Sequence, residues 1–237
     1  MKMIANIPVV SPDWEDMPWV MAFTTISYDG DTVFDFRSST QNENRRILRE
    51  ALPAHDLVWL KINHSAIVLR APDQKSPPAD AAIISKKQTA AAITTADCLP
   101  VVMADGHTRS VALIHAGWRG IAGGIIENCI SMFDPESYND LRVWIGPSVR
   151  GDYEIGLDVR EILLGGDNVT EKAFTQIGGS KYLADLSFIV KNKMMFFGIG
   201  ERNIEIFPES TIASSRFFSV RREGADTGRI ATVAALV

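Results

Sequence analysis

Cysteine and histidine are scarce in this chain, whose 237 residues include two of the first and four of the second. Two thiols make no disulfide framework for so long a chain, so the expected compartment is a reducing cytoplasm. No apolar run reaches the ~20 residues of a bilayer-spanning helix. The opening MKMIANIPVVSPDWEDMPW lacks the charged-then-apolar layout of a secretory leader. Basic excess is also missing. A net charge of −5 offers no surface that gains from counterion release, which argues against a nucleic-acid partner. No G-x-G-x-x-G follows a strand-like run and no P-loop is present, so a nicotinamide, flavin or P-loop enzyme has no support.

What is present is an ordinary globular composition, 46% hydrophobic and 22% charged, and a length that predicts one domain over residues 1–237. Strand-like runs fall at Val20–Thr25, Val58–Leu60, Ile67–Leu69, Ala90–Thr94, Val101–Ala104, Val111–His115, Leu141–Ile145, Ile204–Phe207 and Phe217–Val220. Helical periodicity covers Asn42–Ala51, Gly120–Phe133, Leu157–Leu164 and Leu186–Phe197, the last behind Asp185 as an N-cap. This mixture predicts an α+β (α/β) layered domain.

The chemistry gathers in AITTADCLPVVMADGHTRSVALIHAGWRG, residues Ala92 to Gly120. Cys98 follows a β-patterned run that breaks into a turn, His115 closes another, and His64 sits upstream in VWLKINHSAIVLR. Two imidazoles and a thiolate are the donors of a catalytic zinc that keeps its fourth position open. Gly117 and Gly120 flank Trp118 and Arg119 ahead of a helical stretch, an anion site in outline. Asp97, adjacent to Cys98, is a candidate either for acid–base work or for orienting a ligand histidine. Cys129, inside GIIENCISMF, reads as a buried core thiol, and His55 and His107 read as solvated loop residues.

TTADCLPVV followed by HAGWRG resembles the signature of the YfiH family, also called the laccase-domain or polyphenol oxidase family. The likeness extends along the chain: Glu43, Asn44 and Arg45 resemble an early ENR helix, VWLKINHSAIV a WLxQVHGxxV segment, WIGPSVRGDYEIG a GPxIGPxxYEVG element, KYLADL a YLDL helix start, and RFFSVRREGADTGR an FFSYRRDGxTGR close. The resemblance implies a layered α/β/β/α fold with mixed sheets, and a zinc-dependent purine nucleoside phosphorylase that also deaminates adenosine. It places His64, Cys98 and His115 on the metal, with nucleoside and phosphate as small-molecule partners. Arg119, the Gly117 to Gly120 amides and Arg45 are then the candidates for holding phosphate, whereas Arg221, Arg222 and Arg229 are expected to form ion pairs.

Departures from the family pattern accompany the matches. A TTRxGG arginine is replaced by Ile26, QVHG loses its Gln, Val and Gly to Ile62, Asn63 and Ser65, and two positions that are often cysteine are Asp152 and Ser210. Two rival readings use the same residues. One is a thiol hydrolase with Cys98 as nucleophile, His115 as base and Asp97 or another polar residue as orienter. The other is a copper-dependent polyphenol oxidase, disfavoured by the shortage of imidazoles.

Overall fold

The computed structural model describes residues 2–29, 32–37, 41–54, 56–73, 76–165 and 171–237. Two six-stranded mixed sheets form its centre. The first runs Lys2–Ile4, Ile7–Val10, Val20–Thr25, Ile230–Leu236, Thr89–Thr95, Asp56–Trp59 in spatial order, and the second Ile204–Ile206, Leu141–Ile145, Leu99–Asp105, Ser110–Ala116, Ala81–Ile84, Val68–Arg70. Most neighbours are antiparallel. Asp56–Trp59 with Thr89–Thr95, Leu141–Ile145 with Ile204–Ile206, and Val68–Arg70 with Ala81–Ile84 are parallel.

Strand alternation sorts side chains to two faces of each sheet. Ala91, Ile93, Ala234 and Leu236 of the first sheet meet Val102, Ala104, Val111, Leu113 and Trp144 of the second in one inter-sheet core. The intervening Ala90, Ala92, Ala231, Val233 and Ala235 face outward with Phe23, Phe36 and Leu48, the last on helix Gln41–Ala51. On the far side Val101, Met103, Ala112 and Ile114 are covered by Ile125, Ile126, Cys129 and Ile130 of helix Ile125–Ile130 and by Leu186, Ile189, Val190 and Met194 of helix Leu186–Phe196. The layers are therefore helix, sheet, sheet, helices. Burial on both faces explains why these strands are apolar nearly throughout instead of alternating with polar residues.

Several sequence expectations need correction. The helix expected over Gly120–Phe133 is two, Trp118–Ala122 and Ile125–Ile130, because Gly123 and Gly124 intervene and Gly124 takes a left-handed φ of 87°. Phe217–Val220 is no strand: Phe217 and Phe218 are both buried, and Ser219 accepts from the Arg222 amide to cap helix Val220–Glu223. KYLA of the YLDL-like segment is a strand, Lys181–Ala184, pairing with Tyr153–Gly156 and Phe174–Gly178 in a third sheet. Helix begins only after Asp185, whose side chain accepts from the Phe188 amide at 2.9 Å as the N-cap expectation required. No described helix is long and apolar enough to cross a membrane.

Leu113 is fully buried between the sheets. Leu113→Ala should lower unfolding stability by about 2–5 kcal/mol, read as a reduced urea midpoint; a loss below ~1 kcal/mol would contradict a close-packed inter-sheet core.

Candidate metal centre

Three different connections bring the donor side chains together. Leu99–Asp105 and Ser110–Ala116 pair antiparallel with Pro100 opposite His115 and Leu99 opposite Ala116, so Cys98 lies at the open end of the same hairpin. His64 arrives on the segment between Asp56–Trp59 and Val68–Arg70, in a left-handed conformation with φ 59°. The ligand atoms of His64, Cys98 and His115 all lie within 4.8 Å of one another, and the two imidazoles cross at 77°. His115 is buried and His64 is exposed.

Gly117 keeps this space open. A Cβ there would stand 3.1 Å from Cys98 Sγ, 3.1 Å from His64 Nδ1 and 3.5 Å from His115 Cε1. Soft donors around a gap that a methyl group would crowd fit a transition-metal ion of the zinc type. Among the described residues, this is the cluster with metal-holding geometry.

Asp80, which the sequence reading missed, ties the donors to the scaffold. Its fully buried carboxylate accepts from His115 Nδ1 and the His64 amide through Oδ1, at 2.8 and 2.9 Å. Through Oδ2 it accepts from the Ser65 amide, the Ser65 hydroxyl and the Asn63 amide, at 2.8, 2.9 and 3.3 Å. Burial alone would raise its pKa, but the bonds from His115 and Ser65 outweigh that and bring it to about 2. Burial alone would likewise lower His115, yet Asp80 and then Cys98 raise it to about 9 without metal. His64 is lowered, first by burial and then by His115. The only local sign of Asp80 was an acid immediately before the apolar AAII strand.

The other candidates separate. Asp97 is buried beside Cys98, but its Oδ1 accepts from the Thr211 hydroxyl and its Oδ2 from the Arg221 amide, at 2.7 and 2.8 Å. The histidine-orienting role therefore belongs to Asp80. Trp118 and Arg119 line a cavity of about 970 Å³ that also contains the three donors, Ile62, Asp97, Tyr153, Glu154, Lys181, Arg221 and Arg229. Arg119 lies over the Trp118 ring at 4.3 Å and has no carboxylate partner among the described residues. Arg221 lies over Tyr153 at 4.3 Å and donates to the Glu154 carbonyl, and Arg229 donates to the Thr227 and Gly228 carbonyls.

Gly120 is not among the residues lining the cavity; a Cβ there would stand 3.2 Å from the Ser65 carbonyl and 3.4 Å from Ile125. Arg45 is also outside, stacked 4.0 Å over Trp59 on the first sheet's outer side. Of the expected ion pairs of the C-terminal arginines, the one found among the described residues is that of Arg222, which bonds Glu223 and four carbonyls. Cys129 is fully buried and its thiol pKa is pushed up to about 12 by burial. His107 sits exposed in a turn, and His55 lies outside the described residues.

The sequence profile of a family described as "Multi-copper polyphenol oxidoreductase laccase" matches residues 30–237. A Shigella flexneri protein named purine nucleoside phosphorylase YfiH is 35% identical over 80% of this chain and 78% of its own length. This chain belongs to the YfiH, or laccase-domain, family. A Xylella fastidiosa relative named purine nucleoside phosphorylase is 31% identical over 95% of this chain and 96% of its own. The YfiH-family fold is matched at a TM-score of 0.86 by a crystal structure of a Neisseria meningitidis protein, 29% identical, covering 96% of this chain and 98% of that one.

Gly117 has φ −76° and ψ 162°, which alanine adopts without strain. Gly117→Ala should therefore fold normally by circular dichroism while losing most of its zinc binding in equilibrium dialysis; unaltered binding would show that the three donors do not share an ion. In the metal-free protein, His115 is raised above its ordinary 6.5 to about 9, so its stabilising contribution is complete below pH 6.5 and is lost as pH rises through 9. Urea unfolding of chelated protein should accordingly weaken over that window.

Proposed function

We propose that this chain, as one domain over residues 1–237, is a zinc-dependent purine nucleoside phosphorylase for adenosine- and inosine-type substrates. The observation that carries the reading is the convergence of His64, Cys98 and His115 over Gly117 inside a cavity that also presents Arg119. The relatives' name supports the reaction class. The cavity has the size of a small-molecule site.

His115, with Nδ1 bonded to Asp80, is left with Nε2 for an ion, and Cys98 and His64 complete a three-donor set. Bound there, zinc supplies Lewis acidity and a water whose pKa falls to about 7. Phosphorolysis further requires phosphate to be held against the ribosyl carbon as positive charge develops on the sugar. Arg119 provides a charged fork beside His64 with no carboxylate partner among the described residues, so it is assigned to the phosphate oxygens. Asp97 is assigned to holding the cavity wall, with Thr211 and the Arg221 main chain bonded to it. Adenosine deamination is a second activity for the same centre, and in that role Asp97 would exchange its Thr211 bond to carry a proton. Two free thiols agree with work in a reducing cytoplasm.

The thiol-hydrolase reading gains one specific observation, since Cys98, His115 and Asp80 are ordered as nucleophile, base and orienter. It leaves the placement of His64 unexplained. The copper-oxidase reading finds two imidazoles at the centre among the described residues.

Chelation should abolish phosphate-dependent cleavage of inosine and zinc should restore it; full phosphate-dependent activity in metal-free protein would overturn the zinc requirement, and metal-independent cleavage without phosphate would favour the hydrolase. Arg119→Met should weaken phosphate binding about 10- to 100-fold, the loss of one charge-assisted hydrogen bond of ~1.5–3 kcal/mol, and leave deamination nearly unchanged. An unaltered phosphate dependence would place the anion elsewhere.

A further inference from the structure

We propose that Asp80 is the positioning residue of the metal centre, one carboxylate that presents both histidines to the ion. This rests on the metal reading of the site given above. The case is geometric. Asp80 Oδ1 bonds the ring of one histidine and the backbone of the other, His115 Nδ1 at 2.8 Å and the His64 amide at 2.9 Å. The two donors are otherwise connected through separate elements, a strand of the second sheet and an irregular connecting segment.

On the His115 side, the carboxylate accepts a hydrogen bond from Nδ1–H, which fixes the tautomer and leaves the Nε2 lone pair for the ion. The Asp80 carbonyl also accepts from the His115 amide at 2.7 Å, which fixes the main chain of the same residue. On the His64 side the carboxylate gathers three consecutive amides, Asn63, His64 and Ser65. That cluster of donors holds His64 at φ 59°, a left-handed conformation that is unfavourable for a residue with a Cβ. Ser65 adds its hydroxyl at 2.9 Å. This side chain stands where the family pattern has glycine, so the chain has gained a bond to Asp80 at a position where the pattern offers none.

A purely structural Asp80 would stabilise the loop without affecting metal affinity, and the two roles separate experimentally. Asp80→Asn keeps the shape but replaces one acceptor oxygen with an NH2 group, which cannot receive all five donors. Zinc affinity is measured by competition with a fluorescent chelator on protein shown by circular dichroism to be folded. The expected result is one zinc per chain in the wild type and a 10- to 100-fold weaker affinity in the variant. An affinity within threefold of wild type overturns the proposal, even if the metal-free variant unfolds more easily. Absence of stoichiometric zinc in the wild type overturns instead the metal reading on which the proposal rests. If Asp80→Asn does not fold, Ser65→Ala, which removes one donor to the same oxygen, replaces it. A loss of threefold or more then supports the proposal, and unchanged affinity overturns it.

Discussion

The register of one hairpin governs the site. With Pro100 opposite His115 and Leu99 opposite Ala116, Cys98 and His115 share an end of the second sheet, and Gly117 lies where their side chains approach. A slip of one residue would turn every side chain of a strand to the other face. That slip is strongly opposed, because Val102 and Ala104 face the inter-sheet core while Val101 and Met103 face the helices, and all four are fully buried. The same burial that stabilises the fold thus sets the separation between the Cys98 sulfur and the His115 ring.

Where the chain departs from its family, the structure shows what replaced the missing groups. Ile26, at the position of the TTRxGG arginine, is buried with Ala96, Phe217, Phe218 and Ile230 in a small apolar cluster. An apolar plug therefore occupies a place where the family pattern carries a guanidinium. Asp152 and Ser210, at positions often cysteine, are hydrogen-bonded to each other, so the two sites are neighbours and a polar pair joins them. Ile62 lines the cavity where the pattern has glutamine, which makes that wall less polar.

The sequence was most legible where one residue's chemistry suffices. The donor types of His64, Cys98 and His115 singled them out, and the strands Val20–Thr25 and Leu141–Ile145 and the Asp185 cap follow from local pattern. It was least legible where distance along the chain intervenes. Asp80 acts on residues up to 35 positions away, with no sequence-local partner to advertise it. Ile230–Leu236, alanine-rich and compatible with helix by propensity, is a strand because both its faces are covered by tertiary neighbours. Gly123 and Gly124 divided what periodicity alone joined, and Arg45 was drawn to Trp59 instead of the cavity.

The place of Ile230–Leu236 in the middle of the first sheet, between Val20–Thr25 and Thr89–Thr95, has a bearing on biosynthesis. Ribosomes add about 5–20 residues per second, so the hairpin carrying Cys98 and His115 emerges and can pair several seconds before that central strand exists. Until it inserts, two strand edges stand open, with the aggregation hazard such edges bring. The donor pair can therefore assemble early while closure of the sheet waits for long-range pairing, leaving the nascent chain dependent on protection from chaperones until Ile230–Leu236 emerges.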